Sequence, residues 1–283
     1  MIIPDDEVAT VEVKSWKGLH LLHFRSSTCS QKVRVLLHEK GVPYESHQVD
    51  LMREEHVSAW YLGINPRGVV PVLVHDGVVH VESNDILEYL DGHFPSEAEP
   101  FFPQNAEERA WAKENLDLED SLHVHLRNLT MGFLVPRRVA IKSEETLERY
   151  EREGAMNPKR ALEVKWWRDY ARDGIDDETA RASAAAHRAV FEMLDARLAS
   201  SAWLIGDRLS VLDIAWFITT NRLRRTGYDL SVHANLLRWH VALAARPAFA
   251  EQTRDPWVLE KLVMPLYRSI RKLQGTSLAD VVG

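Results

Sequence analysis

Hydrophobic and polar positions follow two different patterns along the chain, and the change between them divides it. Up to about residue 95, short apolar runs of strand length alternate with helical spacing and with turns rich in Gly, Pro, Asn and Asp. Beyond residue 105, Ala, Leu, Glu, Arg and Trp recur at helical periods, with no run of strand character. The pattern predicts an α/β portion followed by an all-helical portion.

The first portion has a definite order of elements, β-α-β-α-β-β-α. We predict them at residues 19–24, 29–40, 43–49, 53–62, 69–74, 78–81 and 83–94. Asp76-Gly77, between the fifth and sixth elements, is a strong hairpin signal. Gly41 ends the first helix, whose N-terminus therefore carries Ser27, Thr28 and Cys29.

A segment rich in Ser, Glu and Pro separates the two portions, which is typical of a linker between domains. The predicted organisation is an N-terminal extension at 1–18, an α/β domain at 19–95, a linker at 96–105 and an all-helical domain at 106–283. In the helical domain, Ser210 and Asp213 form a Ser-x-x-Asp capping box, which predicts a helix start.

Charge and cysteine content narrow the class of protein. Lys and Arg number 35 and Asp and Glu number 42, so the net charge of −7 argues against a nucleic acid or an anionic membrane as the main partner. No apolar stretch reaches the ~18 residues that span a bilayer, and residues 1–18 lack the pattern of a secretory signal. A single cysteine, Cys29, precludes an intramolecular disulfide and predicts a reducing, cytoplasmic environment.

His123 and His125, with Glu119 and Asp120 upstream, have the composition of a metal site. On a helix, however, side chains two residues apart diverge by about 200°, so the two imidazoles do not converge on one ion. We therefore predict no metal site there and no metal cofactor.

Three short motifs occur within this order of elements: Val70-Pro71, Glu82-Ser83 and the Ser210 to Asp213 capping box. With the domain order, they resemble the cytosolic glutathione transferase family from residue 19 to about residue 249. The resemblance implies a thioredoxin-like domain that binds glutathione, an all-helical domain that binds a hydrophobic electrophile, and a homodimer. The alternative is a noncatalytic glutathione-binding or regulatory protein on the same fold.

The resemblance also implies roles for individual residues. Pro71 corresponds to the family's cis-proline, which exposes the backbone of Val70 to the cysteinyl part of glutathione. Glu82 would hold the ligand's ammonium group, and the helix that starts near Ser83 its γ-glutamyl carboxylate. Arg67 is the predicted partner of the glycine carboxylate, since a valine stands where the family often has a polar residue. Each motif alone is also typical of an edge strand or a helix cap.

Members of this family activate the glutathione thiol with a hydrogen bond from a Tyr, Ser or Cys at the start of the first helix. The loop has no tyrosine, and counting back from Val33-Arg34 places Ser27 where the serine-type classes of the family have the activating hydroxyl, so the resemblance implies Ser27 as the first choice. The run from Ser27 to Lys32 is similar to the Ser-x-Cys-Ser-x-Lys stretch of bacterial tetrachlorohydroquinone reductive dehalogenases, and zeta-class isomerases also have Ser-Ser-Cys here.

In those dehalogenases the cysteine attacks a glutathione–substrate adduct, and a second glutathione resolves the mixed disulfide. The resemblance therefore implies a catalytic Cys29. The alternative is a small cysteine packed under the helix start.

Residues 135–197 are similar in layout to bacterial glutathione-dependent β-etherases, with Pro158, Trp166 and Trp167 among the matching positions. The tryptophan pair has two interpretations, an aromatic wall for an aryl substrate or ordinary packing, and packing is the more common. The charge-rich run at 144–153 predicts a solvated helix face. Together these features predict a glutathione transferase with an aromatic electrophile, with reductive dehalogenation, ether cleavage or thiol exchange as further activities.

Overall fold

A computed structural model describes residues 1–95, 100–153, 157 and 159–282. The chain forms two compact units, Met1–Phe94 with Ile141–Arg172, and Pro95–Ala140 with Asp173–Gly283. Most of the predicted linker's Ser- and Glu-rich part, residues 96–99, and Pro158 lie outside the described residues.

The first unit is built on a mixed four-stranded sheet of β1 (Leu19–His23), β2 (Glu45–Gln48), β3 (Val72–His75) and β4 (Val78–His80). Its strand order is β2-β1-β3-β4, with β1 parallel to β2 and antiparallel to β3. Asp76 and Gly77 join β3 to β4 with φ of 48° and 85°, as the hairpin signal predicts. The helices are α1 (Thr28–Glu39), α2 (Ala59–Leu62) and α3 (Ser83–His93). The predicted thioredoxin-like order is confirmed.

The spacing predicts a single helix at residues 53–62. The structure instead has a short 3-10 turn at Glu55–Val57, followed by α2. Ser58 separates the two because its backbone is extended, with ψ of 153°, and its side chain accepts the N–H of Tyr61. An N-cap side chain thus starts a new helix inside the apolar pattern.

Residues 1–18, predicted as an extension, pack within the first unit. The N–H of Ile3 donates to the carbonyl of Val79 at 2.9 Å, beside β4. Ile3, Val8 and Val13 are buried in the same apolar cluster as the sheet residues. These apolar side chains tie the N-terminal segment to the core of the first unit.

The segment 141–172 also belongs to the first unit, whereas the sequence pattern assigns it to the helical domain. It contains α7 (Glu144–Glu153) and most of α8, which spans Arg160–Asp173; α6 (Arg137–Ala140) precedes it. Leu147 and Tyr150 of α7 and Val164 of α8 form a buried cluster with Val57. Helical periodicity identifies such a buried face but not the surface that covers it, so the boundary could not be read from spacing.

The second unit is all-helical, as predicted. Its further helices are α4 (Ala106–Ser121), α5 (His123–Phe133), α9 (Asp177–Leu198), α10 (Val211–Thr226), α11 (Ala234–Ala244), α12 (Pro247–Gln252), α13 (Met264–Leu273) and α14 (Leu278–Val282). The first helical turns of α10 are buried, so this helix is the centre of the unit. The predicted capping box at Ser210 and Asp213 is present at its start.

None of the helices within the described part of the chain has the length and apolar character needed to span a membrane.

Candidate functional site

Ser27 is the N-cap residue of α1. Its Oγ accepts the backbone N–H of Ser30 at 3.2 Å, and its own backbone is extended, with φ of −72° and ψ of 125°. A hydroxyl that accepts one hydrogen bond keeps its own proton available for a second. The positive end of the helix dipole also lies here. Ser27 can therefore donate a hydrogen bond to an anionic atom in front of the helix.

The loop between β1 and α1 is held in place from behind by two buried side chains of α1. Arg34 donates from Nη2 to the carbonyl of Arg25 at 2.8 Å and from Nη1 to the carbonyl of Phe24 at 3.4 Å. Gln31 also donates to the carbonyl of Arg25, at 3.4 Å. Both side chains are buried. They fix the backbone that leads directly to Ser27.

His23 completes this support and stays neutral. Its Nδ1 lies 3.0 Å from Nη1 of Arg34, so Nδ1 accepts and the ring proton sits on Nε2, which faces Oγ of Ser46 at 2.8 Å. Burial, and then the neighbouring Arg34 cation, lower the pKa of His23 from 6.5 to about 3. A protonated ring would direct a second N–H at the guanidinium.

Cys29 lies in the first turn of α1 and is half-buried. Its neighbour Ser30 is fully buried, as is most of the helix face that follows. The thiol is thus accessible in part, and both the chemical and the packing interpretation remain predictions.

The peptide bond between Val70 and Pro71 is cis, as the resemblance implies. The carbonyl of the preceding residue, Val69, accepts hydrogen bonds from the Tyr61 hydroxyl at 2.7 Å and from Nδ2 of Asn65 at 3.0 Å. Both donors are fully buried. The backbone that enters the cis bond is therefore held rigidly from the protein side.

The 141–172 segment supports the backbone just before the cis bond, at Arg67. The buried guanidinium of Arg160 donates to the carbonyl of Arg67 at 2.9 Å, and Nδ2 of Asn157 donates to it at 3.2 Å. Gly68 has φ of +58°, and a Cβ there would lie 2.9 Å from Arg160, so glycine suits both the backbone and the contact. Sequence reasoning missed Arg160 because its partner is a backbone carbonyl more than ninety residues away.

Glu82 and Ser83 lie at the start of α3, as predicted. Glu82 is the N-cap residue and has φ of 65°, in a region that side chains rarely adopt and that is enriched at functional sites. Ser83 is the first residue of the helix and is buried.

Arg67 forms an ion pair with Glu82, both side chains being partly exposed. Arg67 therefore lies at the start of α3, where its guanidinium contacts the Glu82 carboxylate.

Lys32, the last residue of the Ser-x-Cys-Ser-x-Lys stretch, has no role in the sequence-based prediction and is a further candidate. Its side chain is fully buried, and Nζ donates to Oδ1 of Asn84 at 3.4 Å. Asn84 follows Ser83 in the first turn of α3, so Lys32 links the N-terminal turns of α1 and α3. The signal in the sequence was a lysine at a position where the helical pattern expects an apolar residue.

The two histidines considered as metal ligands on α5 have separate contacts. His123 faces Glu119 and Asp120 at 3.4 and 3.1 Å, whereas Nδ1 of His125 faces Oγ of Ser183 at 3.2 Å. The two rings have different partners, as the helical geometry predicts.

Trp166 stacks on Tyr170, with ring centroids 5.1 Å apart, and Trp167 packs against the cluster around Tyr150. Both tryptophans thus make packing contacts within the first unit, and both are partly exposed.

The second unit contains a cavity of about 580 Å³ between residues of α5, α10, α13 and α14. Phe133 and Met264 contribute apolar surface, but Arg225, Arg268 and Arg271 also line it. This lining differs from the apolar pocket that the family resemblance implies for an electrophile.

The thioredoxin-like sheet, the cis Val70-Pro71 bond and the all-helical second unit define a glutathione transferase fold. Family models agree: "Glutathione S-transferase, N-terminal domain" matches residues 26–93, and "Glutathione S-transferase, C-terminal domain" matches residues 159–247. The chain belongs to the glutathione S-transferase family.

Several relatives are similar over most of their length. Protein LigF of Sphingobium sp. strain SYK-6 is 31% identical over 82% of this chain and 92% of that protein. The crystal structure of beta-etherase LigF from this strain covers 83% of this chain and 98% of its own, with a TM-score of 0.72 and 29% identity. A probable maleylacetoacetate isomerase of Vibrio cholerae is 26% identical over 83% of this chain and 94% of that protein.

A glutathione transferase from Burkholderia graminis, solved with two glutathione molecules bound per subunit, shares the fold. Its TM-score is 0.65, with 19% identity over 89% of this chain and 95% of that one.

Proposed function

We propose that this chain uses Ser27 to activate the thiol of glutathione for attack on an aromatic electrophile. The observation that carries the proposal is the hydrogen bonding of Ser27, whose Oγ accepts the N–H of Ser30 and so keeps its own proton for a ligand. A hydroxyl donor at the positive end of a helix stabilises a thiolate relative to a thiol. The rigid loop behind Ser27 keeps this donor oriented before the ligand binds.

The peptide part of glutathione would lie along the backbone at Val70, beside the cis Pro71. The N-terminal turn of α3, with Ser83, offers backbone N–H groups to the γ-glutamyl carboxylate. The carboxylate of Glu82 suits the ammonium group of the same residue.

Because Arg67 pairs with Glu82, we place Arg67 at this γ-glutamyl end rather than at the glycine carboxylate. An extended tripeptide spans about 10 Å, too far for one contact to serve both ends.

Cys29 extends the chemistry to thiol exchange. Its thiolate would attack the sulfur of a glutathionyl–aryl adduct, the sulfur–carbon bond would break, and the aryl carbon would take the electron pair and a proton. The mixed disulfide between Cys29 and glutathione would then be resolved by a second glutathione, which leaves a free thiol and oxidised glutathione. Since the chain has one cysteine, no second thiol of the same chain can resolve it.

Aryl ethers are the first substrates to test, since LigF, a relative with 31% identity over most of both chains, is a beta-etherase. The glutathione thiolate would displace an aryloxy group, and the released phenolate would take up a proton from solvent. The electrophile would bind to the helical domain. A homodimer and a cytoplasmic location complete the proposal.

The test is the ultraviolet absorbance band of thiolate in bound glutathione, followed against pH. In the wild type we expect thiolate near neutral pH, whereas Ser27→Ala should return the thiol pKa toward the free value of about 8.5. Cys29→Ala is the matched variant and should keep the band while losing turnover of glutathionyl adducts. Binding of glutathione with no thiolate in the wild type would favour the noncatalytic alternative instead. Turnover of aryl ethers, chlorinated hydroquinones and glutathionyl adducts then identifies the substrate class.

A further inference from the structure

A cluster of two histidines and a glutamate lies on the edge of the sheet in the first unit. His20 is on β1, and Glu45 and His47 are on the edge strand β2. His20 is the register partner of Glu45, and Glu45 and His47 are two residues apart, so all three side chains emerge on one face of the sheet. None of the three has a place in the glutathione chemistry described above.

The ligand atoms of these residues have the spacing of a metal coordination shell. Nδ1 of His20 lies 3.0 Å from Nε2 of His47 and 3.4 Å from Oε2 of Glu45. Nε2 of His47 lies 3.6 Å from Oε1 of Glu45. In a tetrahedral zinc site with bonds of about 2.0–2.1 Å, neighbouring ligand atoms are about 3.3 Å apart. One ligand atom from each residue lies within 4.8 Å of the other two, so the three residues can supply three corners of such a tetrahedron without rearrangement of the strands.

The His20 ring is held in the tautomer that a metal requires, and the His47 ring is held in its orientation by stacking. Nε2 of His20 lies 2.9 Å from the carbonyl of Lys17 and donates its proton there, so the lone pair of Nδ1 faces the cluster. Metal-bound histidines commonly donate the N–H of the other ring nitrogen to a carbonyl or carboxylate in this way. The Trp16 ring stacks on His47, with centroids 4.6 Å apart and planes 11° apart, and limits its rotation.

The exposure of one of the three side chains also favours ion binding. The Glu45 side chain is 65% exposed, which leaves a path for an ion and room for a water molecule as fourth ligand.

We propose that His20, Glu45 and His47 bind one Zn²⁺ ion, with water as the fourth ligand. Two imidazoles and one carboxylate are a common donor set for zinc, whereas Ca²⁺ and Mg²⁺ prefer oxygen ligands throughout. When the ion enters, the proton between the two rings moves from Nε2 to Nδ1 of His47, so that both facing nitrogens offer lone pairs. The site is independent of the proposed glutathione chemistry.

Calorimetric titration of the chelator-treated full chain with Zn²⁺ tests the site. We expect one ion per chain, and His47→Gln should weaken binding more than about 100-fold, since loss of an outer-shell partner alone costs 10–100-fold. Glu45→Ala is the second variant, because an exposed side chain on an edge strand can be removed without loss of the fold, as circular dichroism should verify. Co²⁺ in place of Zn²⁺ should give the intense visible absorption of tetrahedral coordination.

His93→Gln is the matched control. His93 belongs to a separate group of aromatic and histidine rings in this unit, with its ring centroid 4.8 Å from that of His75. The control should leave Zn²⁺ affinity unchanged. The proposal is wrong if the wild type fails to bind Zn²⁺ below millimolar concentration, if His93→Gln weakens binding as much as His47→Gln, or if neither cluster variant changes the affinity.

Discussion

Ser27 and Ser210 each cap the N-terminus of a long helix, one in each unit of the molecule. Ser27 is half-buried, and its Oγ accepts the N–H of Ser30. Ser210 is 3% exposed, and its Oγ donates to Oδ2 of Asp213 at 2.6 Å. The two serines occupy the same helical position but use their hydroxyl protons differently. Ser210 donates its proton within the protein, whereas Ser27 has its proton available for a ligand.

The third residue of each helix causes this difference. In α10 it is Asp213, a fully buried carboxylate that binds the N–H and the hydroxyl of Ser210. In α1 it is Ser30, which offers its backbone N–H to the cap. A capping box satisfies both partners and closes the helix end, whereas a cap without a facing carboxylate stays open to an external anion.

The largest effect should come from removing each cap hydroxyl in turn. Ser27→Ala should lower turnover by about 100-fold or more, which is typical for loss of one donor to a developing anion, and should cost only about 1 kcal/mol of stability. Ser210→Ala should lower the free energy of unfolding by about 1–2 kcal/mol and leave turnover within about twofold. Steady-state kinetics and urea unfolding of both variants measure the contrast.

Ser27→Thr keeps a hydroxyl and is the control for this contrast. It should restore most of the activity lost in Ser27→Ala. Equal loss of turnover in the Ser27→Ala and Ser210→Ala variants would refute the distinction between an open and a closed cap.

Asp213 should give the largest effect on stability. Its Oδ1 accepts the N–H of Leu204 at 3.0 Å and Nε1–H of Trp239 at 2.7 Å, while Oδ2 accepts from Ser210. Asp213→Ala leaves these buried donors unpaired and should cost about 3 kcal/mol or more. Asp213→Asn retains one side-chain oxygen, which can accept the hydrogen bonds of only one of the two carboxylate oxygens. Its loss of unfolding free energy should be about half that of Asp213→Ala. Urea unfolding measures both, and a loss below about 1 kcal/mol for alanine would contradict this account.

Much of the fold could be predicted from sequence because its signals are local. Asp76-Gly77 must form a tight hairpin wherever it lies between apolar runs, and Ser210 with Asp213 starts a helix from within four residues. The strands of the first unit and the position of Ser27 followed from similar short-range patterns.

Contacts between residues far apart in the sequence could not be predicted from the spacing of residue types. Arg160 supports the carbonyl of Arg67 from a segment that periodicity assigns to the other domain. Arg67 was predicted at the glycine carboxylate, yet its ion pair with Glu82 depends on how a loop approaches a helix start. Likewise, the spacing of histidines along one helix reveals only ligands on that helix, whereas His20 and His47 meet across two strands.

Each capped helix contacts a buried neutral histidine, which makes the comparison dependent on pH. Behind Ser27, His23 accepts from Arg34. In the second unit, Nδ1 of His240 lies 3.0 Å from Oγ1 of Thr220, and the His240 ring stacks on Phe217 of α10 with centroids 4.8 Å apart. Burial is the main cause that lowers the pKa of each ring from 6.5 to about 3, with Arg34 adding to it for His23 and Arg224 for His240.

Because the folded chain resists protonation of these rings, the unfolded chain binds more protons between pH 6.5 and about pH 3. The stabilising effect of each neutral ring is therefore complete above pH 6.5 and is lost as the pH falls. Replacing either ring by glutamine should reduce the slope of unfolding free energy against pH by about 1.4 kcal/mol per pH unit in this window, as measured by urea unfolding at several pH values. Only His23→Gln should also lower turnover, since His23 holds Arg34 and through it the Ser27 loop. An unchanged slope in both variants would show that other groups govern acid unfolding, and lower turnover in His240→Gln would show that the two caps are coupled.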